Sequence, residues 1–120
     1  MMNYLLVFIG GGLGSICRYG IAHALSFYKS EFPWGTFVAN VLSCILLGAL
    51  VGLMLKSELS SNFKFLFVVG FCGGFSTFST FSNETFQLFS SGQHLTALAN
   101  IFISLIVCLF CIYLGMRITQ

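Results

Sequence analysis

The sequence predicts an all-α integral membrane protein of four membrane-spanning helices, the third of them broken mid-span. Three observations carry this. The chain has 120 residues, 58% of them hydrophobic and only 7% charged, against the ~25% charged residues of a soluble domain. Its mean hydropathy is +0.98. Four apolar runs, each close to the ~20 residues that take a helix across a ~30 Å hydrocarbon core, are separated by short polar turns. A chain this short makes one domain, here residues 1–120, and its surface-to-volume ratio leaves most side chains near the outside. That outside must be lipid.

The first run spans about Tyr4 to Phe27. Met1-Met2-Asn3 lacks the basic region and cleavage site of a signal peptide, so the run is expected to stay in the mature protein. Gly10/Gly14 and Gly11/Ser15 have the four-residue spacing that lets helix backbones approach closely in lipid. Arg18 lies in its second half, and an intramembrane charge is a functional candidate. It either snorkels to the nearer interface beside Tyr19 or stands at a pore entrance, where it would attract anions.

The polar turn Tyr28-Lys29-Ser30-Glu31 and the single proline, Pro33, lead into the second run, about Trp34 to Leu55. Pro33 is placed where the first turn of a helix tolerates it. Thr36, Asn40 and Ser43 fall at i, i+4 and i+7, on one helix face. Gly48/Gly52 repeats the small-residue spacing.

The third run, about Phe63 to Phe89, contains Gly70-Phe71-Cys72-Gly73-Gly74-Phe75-Ser76-Thr77-Phe78-Ser79-Thr80-Phe81-Ser82-Asn83-Glu84. Paired glycines each weaken a helix by roughly 1 kcal/mol relative to alanine, and the hydroxyls that follow offer the backbone competing hydrogen bonds. A break is expected here. In a bilayer, freed backbone groups survive only where they are buried in protein or line an ionic or aqueous site. The alternative is a continuous helix whose Ser and Thr bond back to their own turns. Phe75, Phe78 and Phe81 recur three apart on one face, and a phenyl ring offers an anion its positive edge. Glu84, the only acid in the spans, follows the break as a cap of the second half-helix or a gate.

The fourth run, about His94 to Met116, aligns Thr96, Asn100, Ser104 and Cys108 at steps of four. Such polar stripes line a path or bond between helices. The short connections force neighbouring spans antiparallel. The N-terminus, second loop and C-terminus then share a side with Lys56, Lys64 and Arg117, against Lys29 on the other, a bias weak enough to permit either orientation.

Several classes are excluded. Five Lys and Arg against three Asp and Glu, with no basic cluster, argue against nucleic acid as a partner. Cys17, Cys44, Cys72, Cys108 and Cys111 sit in apolar runs, unlike a secreted disulfide framework, and read as reduced packing residues. Cys108-x-x-Cys111 has no second pair to complete a metal site. Gly10 to Gly14 lacks the strand and the acid of a nucleotide site. An enzyme is not expected.

Gly11-Gly12-Leu13-Gly14-Ser15-Ile16-Cys17-Arg18-Tyr19, Pro33-Trp34-Gly35-Thr36-Phe37-Val38-Ala39-Asn40 and above all Gly70 to Phe81 resemble the CrcB or Fluc fluoride channels over nearly the whole chain. The resemblance implies passive fluoride efflux that protects against fluoride toxicity, across the plasma or inner membrane of a bacterium. It implies an antiparallel, dual-topology homodimer with two pores and a structural sodium ion at its centre. The carbonyls of Gly73 and Ser76 would hold the sodium, and Phe78 and Phe81 would be the aromatic pair of the pore. Asn40 would supply an amide, and Ser79, Thr80 and Ser104 hydroxyls, with Thr36 on the same face as Asn40. Arg18 matches an arginine near the pore entrance. Ser76 stands where the family more often has threonine, which a carbonyl ligand does not notice.

The principal rival is a small dual-topology, proton-coupled multidrug transporter, for which Glu84 would be the intramembrane acid. A non-transporting membrane subunit explains the small-residue pairs but leaves the hydroxyl-rich segment without purpose.

Overall fold

A computed structural model describes residues 1–120, all helix and connection. Helix α1 is Met2–Leu25 and α2 is Trp34–Lys56. Helix α3 covers residues 61–75, opening with one α-helical turn at Ser61–Phe63 that Ser60 caps by accepting from Phe63 N–H. It continues as a π-helix over Lys64–Cys72 and closes on Gly73–Phe75. Helix α4 is Phe78–Ser90 and α5 is His94–Thr119. Four helical stretches are long and apolar enough to cross a membrane, the third running over Ser61–Ser90 through α3 and α4. The ends differ from the sequence expectation by at most a few residues. Pro33 caps α2 from just outside, its carbonyl accepting from Phe37 N–H, one position earlier than the first-turn placement expected.

The molecule measures 48 × 30 × 21 Å, long enough to reach through a ~30 Å hydrocarbon core and both interfaces. Only 18 of 120 residues are buried, so the apolar side chains of α1 and α5 face outward, as lipid requires. This is a multi-pass membrane protein.

Two tight helix pairs organise it. Helix α2 lies along α5, and α1 lies along α3. Glycine makes both possible: a Cβ on Gly48 would strike the Ile112 carbonyl, and one on Gly115 the Ile45 carbonyl. On the other pair, a Cβ on Gly14 would strike the Phe71 carbonyl, and one on Gly74 the Gly11 carbonyl. The small-residue spacing therefore reports packing inside one chain. The π-helical stretch had no signal in the sequence. Its wider turn keeps residues four apart closer to one face than an α-helix of 3.6 residues per turn does, and it leads Gly70 and Gly74 onto α1 in succession.

Candidate functional site

The third span bends at Ser76 and Thr77, both extended, with φ/ψ of −88°/157° and −151°/122°. Side chains take over the backbone groups there. Thr77 N–H, which in a continuous helix would close onto the Gly73 carbonyl, donates to Asn40 Oδ1 at 3.0 Å. Thr80 N–H, which would close onto the Ser76 carbonyl, donates to Thr77 Oγ1 at 3.3 Å and so caps α4. Gly73 and Ser76 thus lose their helical donors, in keeping with the rule that helix-terminal carbonyls need other partners. Gly73 is exposed and Ser76 partly so.

The end of α3 is fixed from three sides. Arg18 Nε donates to the Gly74 carbonyl at 3.1 Å. The Cys72 carbonyl accepts from Ser43 Oγ at 3.3 Å and from Ser76 Oγ at 3.0 Å. Arg18 thus ties α1 to the last turn before the bend. Ser43 bonds between helices, one of the two roles open to its stripe.

Beside the bend lies an open groove of about 220 Å³ lined by Asn40, Cys44, Ser76, Thr77, Phe78, Phe81, Ser104, Leu105 and Cys108. Its donors and ring edges come from three spans, with Asn40 from α2, the two phenylalanines from α4 and Ser104 from α5. The Phe78 and Phe81 rings lie 5.9 Å apart at 39°, and Phe78 is 78% exposed. Because Asn40 Oδ1 is engaged by the backbone, its Nδ2 is the half of the amide left to donate into the groove.

The remaining expected residues are dispersed. Ser79 and Thr80 do not line the groove; their hydroxyls gather on Thr77 Oγ1, at 3.3 and 3.1 Å. Ser104 lines it, but its hydroxyl donates to Asn100 Oδ1 at 3.1 Å. Asn100, 1% exposed, passes the chain on through Nδ2 to Thr85 Oγ1 at 2.9 Å, and Thr85 donates to the Phe81 carbonyl at 2.8 Å. This run from α5 to α4 joins Asn100 to the ring-bearing helix, a connection that helix periodicity alone does not reveal. Of the fourth-span stripe, Cys108 faces the groove.

Thr36 lines neither the groove nor a second cavity of about 460 Å³, which lies at the end of the bundle beside the connection between α1 and α2 and includes Glu84. Glu84 lines it with Glu31, Gln87 and Gln93. Thr36 is buried beside the Glu84 carboxyl, one oxygen of which, Oε1, is buried without a partner.

The profile of the family described as CrcB-like protein, Camphor Resistance (CrcB), matches residues 5–116. A protein of Phocaeicola vulgatus named fluoride-specific ion channel FluC is 38% identical over 123 residues, covering 100% of both chains. The proteins of the same name from Pyrococcus furiosus and Shewanella oneidensis are 47% and 43% identical, covering 92% and 98% of this chain and 89% and 96% of their own. With the match running through all four spans and the bend, this chain belongs to the CrcB family of membrane proteins.

Proposed function

We propose that the protein is a fluoride-selective channel that lets fluoride leave the cell passively, and that the groove of Asn40, Phe78 and Phe81 is one wall of its pore. The observation that carries the reading is the Asn40 to Thr77 hydrogen bond. It holds the bend and leaves the amide donor of Asn40 in the same groove as the Phe78 and Phe81 rings. The names of the relatives point the same way. Fluoride is small and strongly hydrated, so a selective path must replace its water with donors such as amides, hydroxyls and ring edges, yet hold it loosely enough for release. The groove offers the free Asn40 Nδ2 and the Phe78 and Phe81 rings, with no fixed positive side chain.

The third span acts as a broken helix in this account, and the functional unit is an antiparallel homodimer with two pores. A groove open along one side, with Phe78 largely exposed, needs a second copy to close it. The carbonyls of Gly73 and Ser76 suit a hard cation such as sodium, which accepts neutral oxygen ligands. When bound, sodium would satisfy these carbonyls and offset their mutual repulsion. The weak charge bias between the two sides allows both insertions, and the inner membrane of a bacterium is the proposed location.

The test is purified protein in potassium-loaded liposomes holding fluoride or chloride, with efflux followed by an ion electrode after valinomycin. Rapid fluoride loss without chloride loss is expected. Absence of electrogenic anion loss overturns the channel and returns the proton-coupled multidrug transporter, whose acid would be Glu84.

A further inference from the structure

We propose that Cys44 and Cys108 form a two-thiol site for a soft, thiophilic metal ion inside the groove, through which such ions block this channel. The block rests on the channel reading above; the metal site does not.

The two cysteines come from different helices. Cys44 sits one turn after Asn40 on α2, and Cys108 one turn after Ser104 on α5. These are the helices whose glycines allow backbone contact, Gly48 and Gly115 lying one to two turns farther along. The close pairing brings the Cys44 and Cys108 thiols against each other, and both line the same groove as Asn40, Phe78 and Phe81. Both are free thiols, partly exposed, whereas Cys72 and Cys111 are buried and Cys17 faces outward on α1.

A facing pair of thiols on rigid elements is a ligand set for a metal that is satisfied by two sulfurs. Thiolates select soft ions, and hard oxygen donors do not compete for them; fluoride, a hard anion, would not compete either. For Hg²⁺ the balance is simple. Two S–H bonds break, two Hg–S bonds form, two protons leave to solvent, and no atom changes oxidation state. The product is neutral. That matters in the bilayer, where each thiolate alone would be a costly buried charge, while the bis-thiolate complex carries none. Because protons are released, binding weakens as pH falls. A metal held there would occupy the same groove of about 220 Å³ that Asn40, Phe78 and Phe81 line, leaving fluoride no passage.

The probe is Hg²⁺ itself, used without chloride, on the full-length channel in a Cys17→Ser background that removes the outward-facing thiol. Two signals are read on the same sample: the ultraviolet mercury–thiolate charge-transfer band and fluoride efflux from liposomes. Submaximal Hg²⁺ should produce the band and abolish most efflux, with both effects reversed by a dithiol reductant. Methylmercury, which forms a single sulfur bond, should be far weaker. Each of Cys44→Ser and Cys108→Ser should need on the order of 10²-fold more Hg²⁺ for half-block, relative to its own untreated flux, because two linked bonds become one. Unchanged Hg²⁺ sensitivity in the double variant overturns the proposal. So does wild-type protein that gives no band removable by the double substitution. If the serine variants fail to form the wild-type oligomer, Hg²⁺ must instead protect Cys44 and Cys108 together from maleimide labelling, read by peptide mass. Labelling of either one under saturating Hg²⁺ overturns it equally. A band without any fluoride flux in untreated protein would keep the metal site and sink the channel reading.

Discussion

Asn40 performs two tasks with one side chain. Its oxygen accepts the Thr77 N–H at the bend, and its nitrogen is left for the groove. Asn40→Asp separates these tasks, since a carboxylate still accepts from Thr77 but cannot donate and repels an anion. A hydrogen bond to a charged partner is worth about 1.5–3 kcal/mol, so fluoride flux should fall roughly ten- to a hundredfold while the thermal unfolding midpoint in detergent hardly moves. Equal loss of both would assign Asn40 to packing. Phe78 and Phe81 allow a cleaner substitution, because isoleucine keeps apolar bulk and removes only the ring edge. Phe78→Ile and Phe81→Ile should each lower fluoride efflux with expression and oligomeric state intact. Wild-type efflux in both would remove the rings from the path.

At the scale of elements, the chief question is what seats α4. This helix packs chiefly on α5, and its polar tether there is the run Ser104, Asn100, Thr85 to the Phe81 carbonyl. Hydrogen bonds between membrane helices average only ~0.6 kcal/mol, but leaving buried partners unsatisfied costs about 1–3 kcal/mol each. Asn100→Leu strands the Ser104 hydroxyl and removes the bond that Thr85 accepts from α5, and should land in the higher range. The expected result is a lower unfolding midpoint together with reduced flux, because Phe81 loses its register. The glycine contacts test the helix pairs. Gly14→Ala places a methyl against the Phe71 backbone, an overpacking that costs about 1–3 kcal/mol. Gly20→Ala meets nothing within 4 Å and should be neutral or slightly stabilising. Helix melting followed by circular dichroism distinguishes the two.

For the whole molecule, one chain presents an open groove with Phe78 exposed and with the Gly73 and Ser76 carbonyls without helical donors, and the proposed dimer would cover these. If two copies insert in opposite orientations, a tag on the C-terminus must react from both sides of the membrane. Accessibility from one side only would refute the dual topology. Exhaustive replacement of sodium by a large organic cation should reduce fluoride flux. Flux that survives verified loss of the ion would remove the required role of these two carbonyls while leaving the dimer possible.

The number of spans, their limits and the polar faces were legible in the sequence, because a bilayer accepts only runs of a set length and taxes every polar residue within them. Four-residue glycine spacing was legible as close packing for the same reason. The motif between Gly70 and Phe81, read as a resemblance, pointed to the family that the profile match shows. Which hydroxyl serves which neighbour was decided only by tertiary structure. Ser43, Asn40 and Ser104 share helix faces with similar neighbours, yet one holds the Cys72 carbonyl, one the Thr77 amide and one Asn100. Periodicity places a side chain on a face, but its partner depends on the depth and rotation of the opposing helix. Those are set by where backbones can touch, at Gly14 on α3 and at Gly48 on α5. The same contacts bring Cys44 to Cys108, two residues sixty-four positions apart that nothing in their local sequence joins.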